Sequence, residues 1–230
     1  MDEHGRMTIP AIMNRMQNCS DRQSEDLGIG YDFLEARKRG WVIATWQIFF
    51  ERRPARREPI IVETRPWKFD FFFGHRNFAV YDETGEAVVK ANSIWCFLDT
   101  ERMRAVRPTE EECGPYGLDE PLDMSYTKAR KIMVPKEQTA MDPFPVKRSH
   151  LDLNHHVNNV QYVAMALDLL PGDPDIYELR AEYRKAARLG DVIYPSLAES
   201  GEWQIVSLAD AAGSTYAVVE FRQRKENNDV

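Results

Sequence analysis

Residues Asp2 to Met16 can be laid on Asp152 to Ala166 without a gap, at a constant offset of 150 positions (152 against 2). Asp2 then falls on Asp152, Met7 on Val157, Ile12 on Tyr162 and Met13 on Val163. Ile9, Ile12, Met13 and Met16 recur at the spacing of an amphipathic helix, as do Val157, Val160, Tyr162, Val163, Ala166, Leu167 and Leu170. A fixed-period match of this kind points to two similar halves. Two amphipathic helices also align by chance, so the segments that follow each helix matter.

After the first helix, strand-like runs cover 41–50, 60–69, 71–81 and 87–98, with Asp82-Glu-Thr-Gly85 as a hairpin turn between the last two. In the first run the positions Ala44, Trp46, Ile48 and Phe50 are more apolar than Ile43, Thr45, Gln47 and Phe49, as expected of a half-buried strand. After the second helix the runs are 177–187, 192–200, 203–208 and 215–222, with turns at Gly190-Asp191 and Ala212-Gly213-Ser214. The stretch 104–140 is rich in proline, glycine and charge and reads as a linker. The organisation expected is therefore a first half at 1–103, a linker at 104–140 and a second half at 141–230. Residues 142–150 would open the second half as a strand, with Pro143 and Pro145 tolerable only near a start or an edge. The first half has no counterpart to that strand.

Composition narrows the class. A chain of 230 residues is one large domain or two small ones, and 43% hydrophobic residues suit a substantial core. No apolar run is long enough to span a bilayer, and the N-terminus is polar. Cys19, Cys96 and Cys113 are scattered and odd in number, which fits a reducing cytoplasm better than a disulfide framework. No Cys/His cluster suggests a metal, and no cofactor motif occurs. A net charge of -7 argues against a nucleic-acid partner.

Chemistry concentrates at Asp152-Leu-Asn-His-His-Val-Asn-Asn, which crowds an acid, asparagines and two histidines against a helix start. Asn154 is a helix-capping residue type, and the N–H groups of a helix start favour negative charge. A carbonyl becoming an oxyanion would be stabilised there. Asp152-x-Asn154-x-His156-Val-Asn-Asn resembles the active-site segment of acyl-acyl-carrier-protein thioesterases. Gly40-Trp41-Val-Ile, Arg76-Asn-Phe-Ala-Val-Tyr-Asp82, Ser93-Ile-Trp95 and Glu182-Tyr-Arg-Lys-Ala-Ala-Arg-Leu-Gly-Asp191 are similar to that family too, in its order. The resemblance lifts the internal repeat above a chance alignment. It implies an α+β tandem (double) hotdog fold, each half a curved antiparallel sheet wrapped around a long helix. It also implies hydrolysis of fatty acyl-acyl-carrier protein, with the acidic carrier protein and its acyl chain as partners and a monomer or homodimer of double hotdogs. Relative to the family the N-terminus looks short, and the true start is expected upstream of Met1.

Within that frame Asn154 would polarise the thioester carbonyl or position water, His156 would act as base or proton shuttle, and Asp152 would orient a neighbour or accept a proton. A bland use exists for each: a cap, an ordinary histidine, a turn residue. Asn158 and Asn159 read as structural, and His155 receives no role. The chain departs from the family at Ala186 and Ala187, where relatives carry a catalytic glutamate or cysteine. Glu182 would share a strand face with Ala186 but sit roughly 13 Å away. The first half has His4 and Arg6 where the second has Asn154 and His156, and so reads as a scaffold. The resemblance implies that this half supplies an acyl tunnel, with Phe49, Phe50, Trp67, Phe69, Phe71–Phe73 and Trp95 as candidate walls. Positive runs at Arg37-Lys38-Arg39, Arg52-Arg53-Pro-Ala-Arg56-Arg57 and Arg180/Arg184/Lys185/Arg188 are candidate carrier-protein contacts. The alternatives are an acyl-CoA thioesterase of the same fold and a non-catalytic acyl-binding protein. No Gly-x-Ser-x-Gly elbow supports a serine hydrolase.

Overall fold

The computed structural model describes residues 1–224. Its backbone divides into two compact units, the first Met1–Tyr126 and the second beginning at Thr127. That division lies inside the segment 104–140.

In the first unit, helix α1 (Ile9–Asp26) starts at Thr8, whose hydroxyl accepts the Ala11 N–H, and it buries Ile9, Ile12, Met13 and Met16. It runs well beyond Met16, and only Ser20 of the later residues is buried. A short α2 (Tyr31–Ala36) leads into β1 (Arg39–Phe50), followed by β2 (Ile61–Asp70), β3 (Phe73–Tyr81) and β4 (Ala87–Asp99). These strands are antiparallel in the order β2-β3-β4-β1, and the two-residue β5 (Arg104–Ala105) pairs with the end of β4. The β3–β4 connection is the expected hairpin, closed by Gly85 N–H on the Asp82 carbonyl. In β1 a register shift between Ile43 and Thr45 inserts one residue. That bulge changes the inward parity, so Ile43 is buried along with Trp46, Ile48 and Phe50. Phe71 is 75% exposed at the β2–β3 turn, and Phe72 is exposed beside it, so neither is an interior wall. A four-residue helix, α3 (Glu110–Cys113), lies in the stretch that the sequence reads as linker. The stretch after it is fastened by Asn77, which is fully buried. The Asn77 side-chain carbonyl accepts the Leu122 N–H and the Tyr126 hydroxyl, and its amide donates to the Ala91 carbonyl and to Asn92.

The second unit has β6 (Thr139–Ala140) and β7 (Phe144–Pro145), then α4 (Asn159–Leu167), β8 (Ile176–Tyr183), β9 (Val192–Ser200), β10 (Trp203–Ala209) and β11 (Thr215–Gln223). Its sheet is antiparallel in the order β8-β11-β10-β9-β6, with β7 also on β9. Ile132 belongs to this unit's core, packed with Ile205 and Val218. Its N–H donates to Glu182 and its carbonyl accepts from Arg184, so part of the supposed linker is built into the sheet's face.

Three sequence expectations change. The strand proposed at 142–150 shrinks to Phe144–Pro145, because Pro143 and Pro145 supply no N–H; Arg148–His150 is instead a 3-10 turn. The strand proposed at 177–187 stops at Tyr183, where the N–H groups of Arg184 and Lys185 both fall on the Tyr216 carbonyl and break the ladder. Ala186 therefore does not share a strand face with Glu182, whose carboxylate is taken by Ile132 and Arg184. Finally, α4 has nine residues against eighteen for α1, so only the first unit's helix is long.

Candidate active site

The internal repeat is a geometric fact at the turns that precede α1 and α4. In the first unit, Asp2 Oδ1 accepts the N–H groups of His4 (3.0 Å) and Arg6 (2.8 Å). In the second, Asp152 Oδ1 accepts those of Asn154 (2.8 Å) and His156 (3.1 Å). The Asp2 N–H donates to the Arg6 carbonyl at 2.8 Å, and the Asp152 N–H to that of His156 at 2.8 Å. Gly5 sits at φ 72° and His155 at φ 60°, a left-handed conformation that glycine adopts freely and histidine adopts under strain.

Each turn then leans on a partner loop. Arg6 bridges Ala55 and the Met7 N–H reaches the Pro54 carbonyl; His156 bridges Arg188 and the Val157 N–H reaches the Ala187 carbonyl. Between these loops the offset has fallen to 133 (188 against 55), and Arg57 and Gly190, both left-handed, match at that offset. A single constant offset across the chain hides this second correspondence. It pairs Ala186 with Arg53.

That pair is where the units part. Arg53 and Arg6 both reach Asp2 Oδ2, at 3.0 Å each, and clamp the first turn. Desolvation acts the other way, yet the Arg6 N–H, its guanidinium and the Arg53 charge hold the Asp2 carboxyl below its ordinary range. The second turn has His156 in place of Arg6 and an exposed Ala186 in place of Arg53. Among the described residues, no ion pair reaches the Asp152 carboxylate, and no hydrogen bond engages the side chains of Asn154 or His156. Asn154 is exposed and His156 half-buried.

The helix cap differs from the sequence expectation. Asn158, not Asn154, caps α4, its side chain accepting the Val160 N–H at 2.9 Å. Asn158 N–H donates to the His150 carbonyl, and Gln161 N–H to that of Asn158. With these N–H groups occupied, a carbonyl oxygen at this turn would depend on the Asn154 carboxamide more than on the helix start. One supporting residue went unforeseen. Tyr162 of α4 accepts the N–H of Ala187 at 2.7 Å, fastening the loop that carries Ala186 and Arg188. Burial pushes the Tyr162 phenol up to about 12. Beside it lies Tyr183, ring centroids 6.1 Å apart, with a buried hydroxyl that has no hydrogen-bond partner among the described residues and a pKa raised by desolvation. Only the "aromatic at a core position" signal was available in the sequence for Tyr162, and that signal says packing rather than support.

No group of three or more His, Cys, Asp or Glu side chains among the described residues is arranged to hold a metal ion. An open groove of about 810 Å³ in the second unit, lined by Tyr177, Trp203 and Arg222 among others, shares no residue with the turn.

Comparison with known proteins agrees with this picture. The acyl-ACP thioesterase N-terminal domain pattern matches residues 1–116, and the acyl-ACP thioesterase C-terminal domain pattern matches residues 133–219. The chain belongs to the acyl-ACP thioesterase family. Oleoyl-acyl carrier protein thioesterase 2, chloroplastic, of Arabidopsis thaliana is 26% identical over 96% of this chain and 65% of its own length. The dodecanoyl-[acyl-carrier-protein] hydrolase of Cinnamomum camphora is 27% identical over 84% of this chain and 55% of its own. The chain thus spans between about half and two thirds of the length of these relatives. An acyl-ACP thioesterase structure from Bacteroides thetaiotaomicron superposes with a TM-score of 0.89 at 24% identity, over 97% of this chain and 93% of that one. The 12:0-ACP thioesterase of Umbellularia californica gives 0.85 at 23% identity, over 97% and 92%. These likenesses establish the fold, the α+β double hotdog.

Proposed function

We propose that this chain hydrolyses the thioester of a fatty acyl chain carried on acyl carrier protein, releasing the free fatty acid. The observation that carries the reading is the contrast between the two turns. The same backbone holds an arginine-clamped carboxylate in the first unit and, in the second, a carboxylate that among the described residues has no ion pair, beside a carboxamide and an imidazole that have no side-chain hydrogen bond there. In the reaction, His156 takes a proton from water as the water oxygen attacks the carbonyl carbon. Asn154 donates to the developing oxyanion. Asp152 holds the turn through Oδ1 and offers Oδ2 to the imidazole or the water. The C–S bond then breaks, and the thiolate leaves and takes up the proton. No covalent acyl-enzyme is involved.

Family membership supports this reading, and the names of the relatives supply the substrate class. The hydrophobic faces of the first unit are the candidate acyl-chain site. No helix among the described residues is long and apolar enough to cross a membrane. Cys19, Cys96 and Cys113 are not joined in a disulfide among the described residues, as the proposed cytoplasmic setting requires.

The test is hydrolysis of a chain-length panel of acyl-carrier-protein and acyl-CoA thioesters by the wild type, the Asn154→Ala/His156→Ala variant and Ala186→Glu. Loss of rate by about 10²–10⁴ in the double variant, with folding intact, is the expected result. Equal turnover on CoA thioesters would move the substrate class. Turnover appearing only in Ala186→Glu would make the wild type a binding protein.

A further inference from the structure

The two related turns also differ in what they show to solvent. Leu153 is 94% exposed at the tip of the second turn, and Leu189 is 51% exposed on the loop bridged to it. At the matching positions the first unit has Glu3 and Arg56, as a solvated turn should. Two large aliphatic side chains held outward on adjoining turns, next to Asp152, Asn154 and His156, need a reason.

Charge around them is equally uneven. Most of the cations that looked like docking patches in the sequence are consumed internally. Arg37 pairs with Glu111, Arg39 with Asp99, Arg52 with Glu58 and Asp82, and Arg53 with Asp2. Arg180 pairs with Glu220, Arg184 with Glu182 and Lys185 with Asp210. Lys147, Arg148 and Arg188 differ: their side chains are exposed and make no ion pair among the described residues.

These cations belong to the same local frame as the two leucines. Lys147 N–H donates to His150 Nδ1 at 3.0 Å, and Val146 N–H to the Asp191 carbonyl at 2.8 Å. The His150 carbonyl accepts the N–H of Asn158, the cap of α4. The 3-10 turn at Arg148–His150 is thus fixed to the reaction turn on one side and to the Arg188–Asp191 turn on the other. The carboxylates of the frame, Asp152 and Asp191, are engaged by backbone N–H groups of their own turns.

We infer that Leu153 and Leu189, ringed by Lys147, Arg148 and Arg188, form the docking face for an acidic carrier protein that delivers its thioester to the adjacent turn. This rests on the reading given under Proposed function and adds the partner's footprint. A surface of unpaired cations raises the encounter rate with an acidic partner, and a small apolar centre holds it once docked. Arg56 and Arg57, also exposed and without an ion pair among the described residues but in the first unit, lack the apolar centre and the reaction turn, and are not part of this face.

The test compares Lys147→Glu/Arg148→Glu with Arg56→Glu/Arg57→Glu, which change the net charge equally. Each is assayed on an acyl-carrier-protein thioester and on the neutral N-acetylcysteamine thioester of the same acyl chain. The first pair should raise KM for the carrier substrate by about tenfold at low salt, with kcat nearly unchanged, and the difference should shrink as salt rises. The cysteamine thioester should be hydrolysed at the wild-type rate, and the second pair should shift KM less than about twofold. Equal rises for both pairs would overturn the assignment, since the response would then be to net charge. Equal losses on both substrates would also overturn it, as would an unchanged KM. If the wild type hydrolyses neither thioester, the functional reading fails by itself. Docking is then read from fluorescence anisotropy of labelled carrier protein, where weaker binding by the first pair alone supports the face and equal binding rejects it.

Discussion

Replacing Tyr162 by phenylalanine removes one oxygen atom and leaves the ring in place. The buried Ala187 N–H, 2.7 Å from that oxygen, then has no acceptor. Ala187 has no exposed surface, so water cannot take over without the loop moving. Since the ring still fills its volume, no cavity cost arises, and the change in stability is that of one stranded backbone donor, about 1–3 kcal/mol. Relief of the desolvated phenol offsets part of this, which places the expectation near 1–2 kcal/mol. In urea, with a slope of about 2–3 kcal/mol/M, the midpoint should fall by roughly 0.5 M with the slope unchanged. A loosened Ala187 also loosens the Val157 contact and the His156–Arg188 bridge, so kcat should drop severalfold while KM holds. Amide exchange at Ala187 should accelerate beyond the global change. A midpoint shift below about 0.1 M would refute the argument that this bond supports the site. So would a loss of stability with wild-type kcat.

Other outcomes follow from the same geometry. His155→Gly should stabilise the chain by up to about 1 kcal/mol and leave hydrolysis intact, because glycine occupies the matching left-handed position at Gly5; a clear loss of stability in thermal unfolding would mean that the imidazole contributes more than the strain costs. Asn77→Ala strands the Leu122 N–H, leaves the Tyr126 hydroxyl only its bond to the Leu122 carbonyl, and should destabilise by about 1–3 kcal/mol; a denaturation midpoint within error of the wild type would show that this network is not a stabilising clasp. Tyr162 and Tyr183 have folded-state pKa values raised above those of the unfolded chain, so the folded form holds more protons above about pH 10. Stability should therefore be complete below pH 10 and fall as pH rises through about 12, the value for Tyr162. Tyr162→Phe should shallow that slope in alkaline melts, and an unchanged slope would remove this tyrosine from the effect.

Period and punctuation made most of the architecture legible. The run at 192–200 is β9 residue for residue, Asp82–Gly85 is the hairpin, and Ile9, Ile12, Met13 and Met16 are the buried face of α1. What escaped was set by single backbone groups. β8 ends because two amides share the Tyr216 carbonyl, and nothing in Arg184-Lys185-Ala186-Ala187 announces that. The continuation of α1 past Met16 buries little, so no apolar period marks it. At the site, the composition of the turn was readable but its capping was not. Asn154 is the capping residue expected, but it lies in the turn that Asp152 closes and His155 bends left-handed, and the helix cap falls four residues later, at Asn158. The basic runs were legible only in part, for a related reason. Charge is visible in a sequence, whereas the carboxylates that neutralise Arg39 or Arg180 lie far along the chain.

The clamped turn of the first unit makes the molecule a chassis with two sockets of one shape. The backbone that would seat a second reaction centre is already present, with Asp2 bonding the N–H groups of His4 and Arg6 as Asp152 bonds those of Asn154 and His156. On the proposed function, giving the first socket the residues of the second takes His4→Asn, Arg6→His and Arg53→Ala, and the reverse exchange falls at Asn154, His156 and Ala186. The two sockets thus differ in side chains carried at matching positions of one backbone, so the proposed chemistry can be put to the test by transplanting those residues without redrawing the scaffold.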